Sequence, residues 1–241
     1  ADAVVGTSDD YASRAFKDRA QDIPKVVVYV GNDIEEFDDG AREFAAEVRK
    51  PQGEVWVAYA GTLSACYDIQ TLIRAVADIQ RTHPEVKLKL LGDGTERANL
   101  EAVATQTGCD VEFLGYQLYR KMAAYLCASD ILVNSLVGNA AQSIVTKIGD
   151  YLAAGKPMVN AATGEEFRNK VEQDGFGVNV QPGDVAALSG VLLGLVEDAD
   201  RRERMGDVAR RIAEQQFARR VAYQSTVRLI DDLVSKGGQA R

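Results

Sequence analysis

The strongest constraint on the fold is a regular alternation of short apolar runs with helical patterns between Val55 and Val180. The apolar runs predict strands, and the amphipathic patterns between them predict helices. The predicted strands are Val55–Tyr59, Val86–Leu91, Val111–Leu114, Ile131–Asn134, Met158–Ala161 and Gly177–Val180, and the predicted helices are Ile69–Arg81, Arg97–Thr107, Tyr119–Cys127, Ile144–Ala153 and Glu165–Gln173. Because one helix separates each strand from the next, the sequence predicts an α/β fold with a doubly wound parallel sheet.

The segments flanking this alternation predict a short strand–helix–strand unit before it and only helices after it. At the N-terminus the expected elements are a strand, a helix, a second strand and a charged stretch, part helix and part linker: Ala3–Thr7, Tyr11–Ala20, Lys25–Val30 and Glu35–Pro51. At the C-terminus three helices are expected before a mobile tail: Val185–Glu197, Asp200–Gln215 and Phe217–Val234. The charged stretch places a domain boundary between Asp33 and Pro51.

Composition excludes several classes of function. A net charge of −8 without a long basic run argues against a nucleic-acid partner. The three cysteines lack metal-type spacing and His83 is the only histidine, so neither a zinc site nor a Ser-His-Asp arrangement is expected. No apolar stretch is long enough to span a bilayer, and we expect a cytoplasmic protein. Because the chain starts with Ala1 directly before a predicted strand, we expect it to be a fragment of a longer protein.

Four loops containing glycine follow predicted strands and form the first candidate site. They are Gly61–Tyr67, Gly92–Thr95, Gly115–Leu118 and Gly138–Thr146. In an open parallel sheet, ligands bind in the crevice beyond the carboxyl ends of the strands, where glycine lets backbone approach a ligand closely. One or two such loops are equally well explained as ordinary turns. An NAD site is not expected, because Arg97 stands where the dinucleotide fingerprint needs its third glycine.

The segment 139–161 reads as loop, helix and strand, and its helix is the best candidate for phosphate binding. The first N–H groups of such a helix lack intrahelical partners and carry the positive end of its dipole. Thr146 and Lys147 add a hydroxyl and a cation in the first turn, and Asp150 lies on the same face as Thr146. The alternative interpretation is a helix that is merely capped, with Lys147 and Asp150 solvated.

Several motifs together resemble the C-terminal, donor-binding domain of GT-B glycosyltransferases, specifically the retaining family four in its bacterial surface-polysaccharide branch. The resemblance covers Glu54 to Val234 and depends on the order and spacing of the motifs rather than on any one of them. The motifs are Ala58–Leu63, Leu90–Gly94, Val111–Tyr116, Ala128–Asp130, Lys147–Leu152 and Gly155–Pro157. Residues 1–37 resemble the last strand–helix–strand of the N-terminal, acceptor-side domain.

This resemblance implies a division of the chain into four parts. Residues 1–37 are the expected remnant of the N-terminal domain, 38–53 a linker, 54–236 the nucleotide-sugar domain and 237–241 a mobile tail. Most of the N-terminal domain is expected to be missing, and it is therefore an expected partner of this chain.

The resemblance also implies a role for each site residue. Asp150 holds the ribose hydroxyls, Gln142 replaces a carboxylate that contacts the sugar in other members, and the backbone around Val145 faces the diphosphate. Gly115 and Tyr116 meet the base. Thr62 and Asp68 occupy the positions of an Arg/Lys pair that binds phosphate in many members, so Lys147 is the expected catalytic cation in its place. The donor-binding set is Gly61, Thr62, Gly92, Gly94, Gly115, Tyr116, Gln142, Ser143, Val145, Thr146, Lys147 and Asp150.

The implied activity is hexosyl transfer from a nucleoside-diphosphate sugar, with a UDP-sugar as the predicted donor. We expect retention of configuration, no metal and no cofactor, and a glycan or lipid-linked acceptor that brings the full-length protein to the inner face of the cell membrane. The fragment alone is expected to bind the donor without transferring it. Two alternatives remain: a UDP-sugar epimerase of the same fold, and a non-catalytic nucleotide-binding module.

Overall fold

The computed structural model describes residues 1–17, 23–138 and 144–239, with backbone only for 236–239. Its strands are β1 (Val4–Gly6), β2 (Lys25–Val27), β3 (Val55–Ala60), β4 (Val86–Leu91), β5 (Val111–Gly115), β6 (Ile131–Ser135), β7 (Met158–Ala161) and β8 (Gly177–Val180). Its α-helices are α1 (Asp9–Arg14), α2 (Ile34–Phe44), α3 (Ile69–Gln80), α4 (Arg97–Thr107), α5 (Tyr119–Ala128), α6 (Lys147–Ala153), α7 (Glu165–Asp174), α8 (Val185–Glu197), α9 (Ala199–Ile212), α10 (Arg219–Ala222) and α11 (Gln224–Gln239).

The main sheet is parallel throughout, in the order β5-β4-β3-β6-β7-β8. One apolar cluster covers the face beneath α3, α4 and α8, and a second covers the face beneath α2, α5, α6, α7 and α9. The predicted doubly wound α/β fold is therefore confirmed. The chain order runs outwards from β3 to β5 and then returns to β6 on the other side of β3, so the crevice between β3 and β6 is the topological switch point at which ligands bind.

The predicted central helix begins later than the sequence suggested. Helix α6 starts at Lys147 rather than at Ile144, and Thr146 is its N-cap residue without a side-chain capping bond. Ile144 and Val145 instead pack against the second apolar cluster. Both are β-branched, which lowers their preference for helix, so tertiary packing decides their conformation.

The C-terminal helical region differs from the two predicted helices, Asp200–Gln215 and Phe217–Val234, because the second is interrupted. A π-helical turn at Ala213–Phe217 follows α9, and Ala218 adopts an extended conformation before α10. Asn32 causes the break, because its N–H donates to Phe217 O and its carbonyl accepts from Arg219 N, both at 2.9 Å. The buried Phe217 ring also stacks on Tyr29 with centroids 4.8 Å apart. The C-terminal segment around Ala218 therefore returns to Asn32 and pairs with it through the backbone. Backbone pairing of this kind has no sequence signature.

The N-terminal segment forms a separate two-stranded parallel sheet of β1 and β2. Its helix α1 ends at Arg14, short of the predicted end at Ala20, and residues 18–22 lie outside the described part of the chain. The predicted strand Lys25–Val30 ends at Val27.

The first part of the predicted linker 38–53 belongs to helix α2, which packs on α5 of the larger unit. Helix α2 extends through it to Phe44 and crosses α5 so closely that a Cβ on Gly40 would lie 2.5 Å from the Arg120 Cα. Ion pairs between Arg120 and Glu43 and between Lys121 and Glu47 run along the same crossing. The part of the predicted linker up to Phe44 is therefore a packed helix and not a free connection.

At the other end of the chain, the predicted tail 237–241 continues helix α11 as far as Gln239, and the remaining two residues lie outside the described part. Within the described residues, no helix combines the length and the apolar character that crossing a membrane requires.

Candidate functional site at the carboxyl edge of the sheet

A pocket of about 280 Å³ lies at the carboxyl ends of β3, β4 and β5. Its lining is drawn from the loops that follow these strands and from helix α5: Ala60, Gly61, Thr62, Leu91, Gly92, Asp93, Tyr116, Gln117 and Met122. The structure therefore brings together four of the predicted site residues, Gly61, Thr62, Gly92 and Tyr116. Tyr116 stands at the rim with 78% of its surface exposed, and nearby Leu118 is 68% exposed. Two exposed apolar side chains beside a pocket indicate a place where a flat ligand can stack.

Two of the predicted site glycines have a structural reason for lacking a side chain. A Cβ on Gly92 would lie 1.9 Å from Gly61 O, and one on Gly94 would lie 2.2 Å from Leu63 O. Glycine is required there because the loops after β3 and β4 touch each other through their backbones. Gly115 differs: it has a φ of +66°, and the Arg97 guanidinium, 3.7 Å away, is the only described group within 4 Å of its Cβ position. Its carbonyl accepts from Gly92 N at 2.8 Å, so Gly115 closes the end of β5 against the loop after β4.

Lys147 lies at this edge with its amine turned inwards. The Nζ atom is buried and has no hydrogen-bond partner among the described residues. It sits 3.9 Å from the Tyr59 ring centroid and 4.2 Å from that of Tyr67. A Cβ on Gly61 would lie 2.6 Å from Nζ, so the absence of a side chain at Gly61 makes room for the amine. Lys147 is therefore next to the pocket lining, not solvated as the alternative interpretation required.

The environment of Lys147 acts on its charge in two opposing ways. Burial lowers the pKa of Lys147 well below its ordinary value because the charged form loses its hydration. The faces of Tyr59 and Tyr67 favour the charged form, since an aromatic ring attracts a cation placed over it. A buried amine without a partner among the described residues is destabilising in the free protein, which makes Lys147 a candidate for a functional group.

Thr62 and Asp68 stand where many members of the family have a phosphate-binding Arg and Lys, and here both stabilise the loop after β3. Asp68 caps helix α3 by accepting from Thr71 N, and its second oxygen accepts from Gly183 N at 2.8 Å. The carbonyl of Thr62 accepts a hydrogen bond from the Tyr59 hydroxyl at 3.0 Å. Both residues therefore support the loop that encloses the Lys147 amine.

Asp150, on the same helix as Lys147, is held by two partners from other elements. Its Oδ1 accepts from the Tyr119 hydroxyl at 2.9 Å and from Asn32 Nδ2 at 3.4 Å. Burial raises the pKa of Asp150, while the hydrogen bonds from Tyr119 and Asn32 act against that increase. Neither of these bonds ends on Oδ2, which leaves that oxygen for a further donor.

The remaining predicted site residues lie just before and at the start of helix α6. Gln142 and Ser143 lie outside the described residues. Thr146 is exposed and Val145 half-buried, and the Val145 carbonyl accepts from Ile148 N at 3.2 Å. The first turn of α6 is therefore closed by a backbone bond, and in a helix of only seven residues the dipole is small. The side chain of Lys147 is consequently the better-defined anion-binding group.

Sequence reasoning missed four residues that shape this site: Tyr59, Tyr67, Tyr119 and Asn32. Tyr119 and Asn32 orient Asp150, and Tyr59 and Tyr67 enclose Lys147. Tyr59 was part of a recognised motif but reads as a core residue of a strand. The sequence feature that could have indicated the surroundings of Lys147 is the pair Tyr59 and Tyr67, which flank the loop containing Gly61.

Comparison with known proteins identifies the family to which the chain belongs. The family model for glycosyl transferases group 1 matches residues 54–198, which is more than half of the chain. A D-inositol 3-phosphate glycosyltransferase of Corynebacterium kroppenstedtii is 27% identical over 232 residues, covering 89% of this chain and 49% of that protein. A GDP-mannose-dependent monoacylated alpha-(1-6)-phosphatidylinositol monomannoside mannosyltransferase of Corynebacterium glutamicum is 27% identical over 152 residues, covering 61% and 39% respectively.

Among solved structures, Anabaena Alr3699/HepE in complex with UDP and glucose superimposes with a TM-score of 0.77 at 22% identity. The match covers 96% of this chain and 64% of that one, so it extends to the N-terminal segment as well. The chain spans about half the length of the curated relatives that it matches. The fold predicted from the motifs, that of GT-B glycosyltransferases, is confirmed, and the chain belongs to the glycosyl transferases group 1 family.

Proposed function

We propose that this chain is the donor-binding part of a glycosyltransferase that uses a nucleoside-diphosphate sugar, with a UDP-sugar as the predicted donor. The observation that carries the proposal is the buried amine of Lys147 beside Gly61, at the edge of the pocket, which has no hydrogen-bond partner among the residues that the structure describes. A diphosphate bound there supplies the anionic partner that the amine lacks. The solved relative with UDP and glucose supports the choice of uridine, whereas the GDP-mannose-dependent relative makes guanosine the competing base.

Lys147 then acts on the leaving group. When the glycosidic bond to the diphosphate breaks, negative charge builds on the β-phosphate, and a cation already in contact with it lowers the barrier. Loss of one such contact costs about 3 kcal/mol of barrier, or roughly a hundredfold in rate. In this proposal the amine supplies the stabilising charge without a metal ion. A chelator such as EDTA should then leave nucleotide binding unchanged.

Asp150 is proposed to hold the ribose. Its free Oδ2 can accept from a ribose hydroxyl while Tyr119 and Asn32 keep Oδ1 in place. A charge-assisted hydrogen bond to a diol is stronger than a neutral one, so Asp150→Asn should weaken UDP binding. The matched control is Asp130→Asn: Asp130 is a partly buried carboxylate paired with Lys50 away from the pocket lining, and its change should leave the affinity for UDP unaltered in a folded protein.

The experiment that tests the proposed function is a ligand-shift screen with UDP, GDP and ADP. A ligand at about 100 times its dissociation constant adds nearly 3 kcal/mol of stability to the folded chain. We expect a shift with UDP that is reduced in both Lys147→Met and Asp150→Asn. Absence of any shift with the three nucleotides would refute the proposal.

The acceptor and the rest of the protein are also part of this proposal. The two-stranded β1–β2 sheet has open edges, and an apolar patch beside it is lined by Val5, Val28, Val30, Tyr223 and Val227. We propose that the remainder of an N-terminal acceptor-side domain covers this patch. The acceptor is then a glycan or a lipid-linked sugar, and a relative named for a phosphatidylinositol monomannoside acceptor supports a lipid-linked one. Retention of configuration and peripheral membrane association of the full-length protein stay predictions.

A further inference from the structure

The enclosure around the Lys147 amine contains one wall that is not part of the buried core. Tyr59 lies in strand β3 and is fully buried, with its hydroxyl bonded to Thr62 O. Tyr67 lies in the loop between β3 and α3 and is only half-buried. The two rings are 5.8 Å apart and inclined at 67°, and the amine is within 4.2 Å of both centroids.

Tyr67 is held firmly although it belongs to a loop. Its N–H donates to Ser64 O at 3.0 Å, and the next residue, Asp68, caps helix α3 and accepts from Gly183 N. The Ser135 hydroxyl donates to the Asp68 carbonyl at 2.7 Å. The backbone that carries the Tyr67 ring is therefore anchored to β6 and to the loop before α8.

The two tyrosine rings attract a cation but carry no negative charge that would neutralise it. A carboxylate beside Lys147 would pair with the amine and compete with a phosphate, whereas an aromatic face attracts the ammonium and leaves its N–H donors available. Asp68, the carboxylate next in sequence to Tyr67, is instead engaged with Thr71 and Gly183. The ring faces thus hold the amine in place while its donors stay free for an incoming anion.

We propose that Tyr67 is a positioning residue for the donor: with Tyr59 it holds the Lys147 amine beneath Gly61, so that the group that contacts a bound diphosphate is already in position. This inference rests on the proposed function, because it takes Lys147 as the group that contacts the diphosphate. It assigns to Tyr67 an effect on the diphosphate alone, since its contact is with the amine and not with the nucleoside.

The test compares Tyr67→Leu, which removes the ring but keeps an apolar side chain, with Tyr67→Phe, which keeps the ring and removes the hydroxyl. Calorimetry gives the affinities of each variant for UDP and for UMP. We expect Tyr67→Leu to weaken UDP binding about tenfold with little change for UMP, since a desolvated cation–ring contact contributes on that order. Tyr67→Phe should keep the UDP affinity of the original chain.

Two results would overturn the inference: an unchanged ratio of UDP to UMP affinity in Tyr67→Leu, whether or not both affinities fall, or a loss in Tyr67→Phe as large as in Tyr67→Leu. If Tyr67→Leu does not fold, Tyr67→Met provides a second ringless variant for the same comparison. Combining Tyr67→Leu with Lys147→Met should give no loss beyond that of Lys147→Met, because Tyr67 acts through the amine.

Lys147→Met alone separates this inference from the proposed function. If Lys147→Met keeps the UDP/UMP ratio of the original chain, the phosphate role of Lys147 fails and the proposed function fails with it. If Lys147→Met loses the preference for UDP while Tyr67→Leu keeps it, the function stands and only the role of Tyr67 is refuted.

Discussion

At the scale of single residues, the site is organised around a lysine that does not serve the stability of the fold. Lys147 contributes a buried amine without a hydrogen-bond partner in the described part of the chain, and it is enclosed by aromatic faces rather than by a carboxylate. Such a group stabilises the protein only when an anion arrives. The sequence identified Lys147 as a candidate from its position in the chain, but its burial and its tyrosine neighbours arise from tertiary packing and have no local pattern.

Replacing Lys147 should therefore stabilise the ligand-free chain. An unsatisfied buried donor costs about 1–3 kcal/mol, and methionine fills a similar volume without a polar atom. We expect Lys147→Met to raise the free energy of unfolding by that order in denaturant titrations. Lys50→Met is the matched control, because the Lys50 amine is paired with Asp130 at 2.7 Å and its loss should lower stability or leave it unchanged. A destabilised Lys147→Met would contradict the interpretation of an unpaired amine.

The affinity for UDP should also depend on pH through Lys147. Burial lowers the pKa of Lys147 in the free protein, whereas a bound diphosphate raises it by stabilising the charged form. Between these two pKa values binding takes up a proton, so the affinity should fall as the pH increases. Calorimetry from about pH 7, above the phosphate pKa of roughly 6, to about pH 9.5 measures this effect. Lys147→Met should show a flatter profile, and an equally steep one would assign the dependence to another group.

At the scale of elements, the parts that sequence predicted well are those fixed by local patterns. Strands β4, β7 and β8 and helices α4 and α8 have the predicted bounds because apolar runs and terminal glycines or capping aspartates delimit them. Helix α6 begins later than predicted because Ile144 and Val145 pack against the core. The C-terminal helices differ from prediction because Asn32 pairs with Phe217 and Arg219. The glycine loops were placed at the right edge by topology, although Gly92 and Gly94 serve loop packing.

The crossing of α2 over α5 gives a prediction at this scale. A Cβ on Gly40 would lie 2.5 Å from the Arg120 Cα, so Gly40→Ala should force the helices apart and cost about 1–3 kcal/mol. Gly190, in helix α8, has no atom within 4 Å of its Cβ position. Gly190→Ala should accordingly stabilise by about 0.5–1 kcal/mol. Thermal unfolding of the two variants measures both effects, and equal responses would show that α2 does not pack closely on α5.

At the scale of the whole molecule, the chain spans about half the length of the curated relatives that it matches, and we propose that an acceptor-side domain accounts for the rest. Helix α11 carries exposed apolar residues beside the small sheet, with Val227 exposed to 55%, Ile230 to 54% and Val234 to 69%. An apolar surface of this kind marks an interaction site, and on its own it promotes association. The resemblance predicts an acceptor-side domain as a partner, whereas the patch itself emerges only when α11 lies beside β1 and β2.

The isolated chain should therefore self-associate through this patch and should transfer no sugar. Light scattering should show concentration-dependent association that the double change Val227→Lys and Ile230→Lys reduces, without altering UDP affinity. Glycoside formation from a UDP-sugar by the fragment alone would contradict the two-part account. Formation of a sugar epimer, or nucleotide binding indifferent to the attached sugar, would instead favour one of the two alternative functions.

A crystal structure of the chain with UDP tests whether the Lys147 amine is the partner of a donor diphosphate. We predict a phosphate oxygen within about 3 Å of the Lys147 Nζ, with the ribose hydroxyls on the Asp150 carboxylate and the base beside Gly115 and Tyr116. UDP bound away from the carboxyl edge of the sheet, or bound there with the Lys147 amine still enclosed and unpartnered, would contradict the claim.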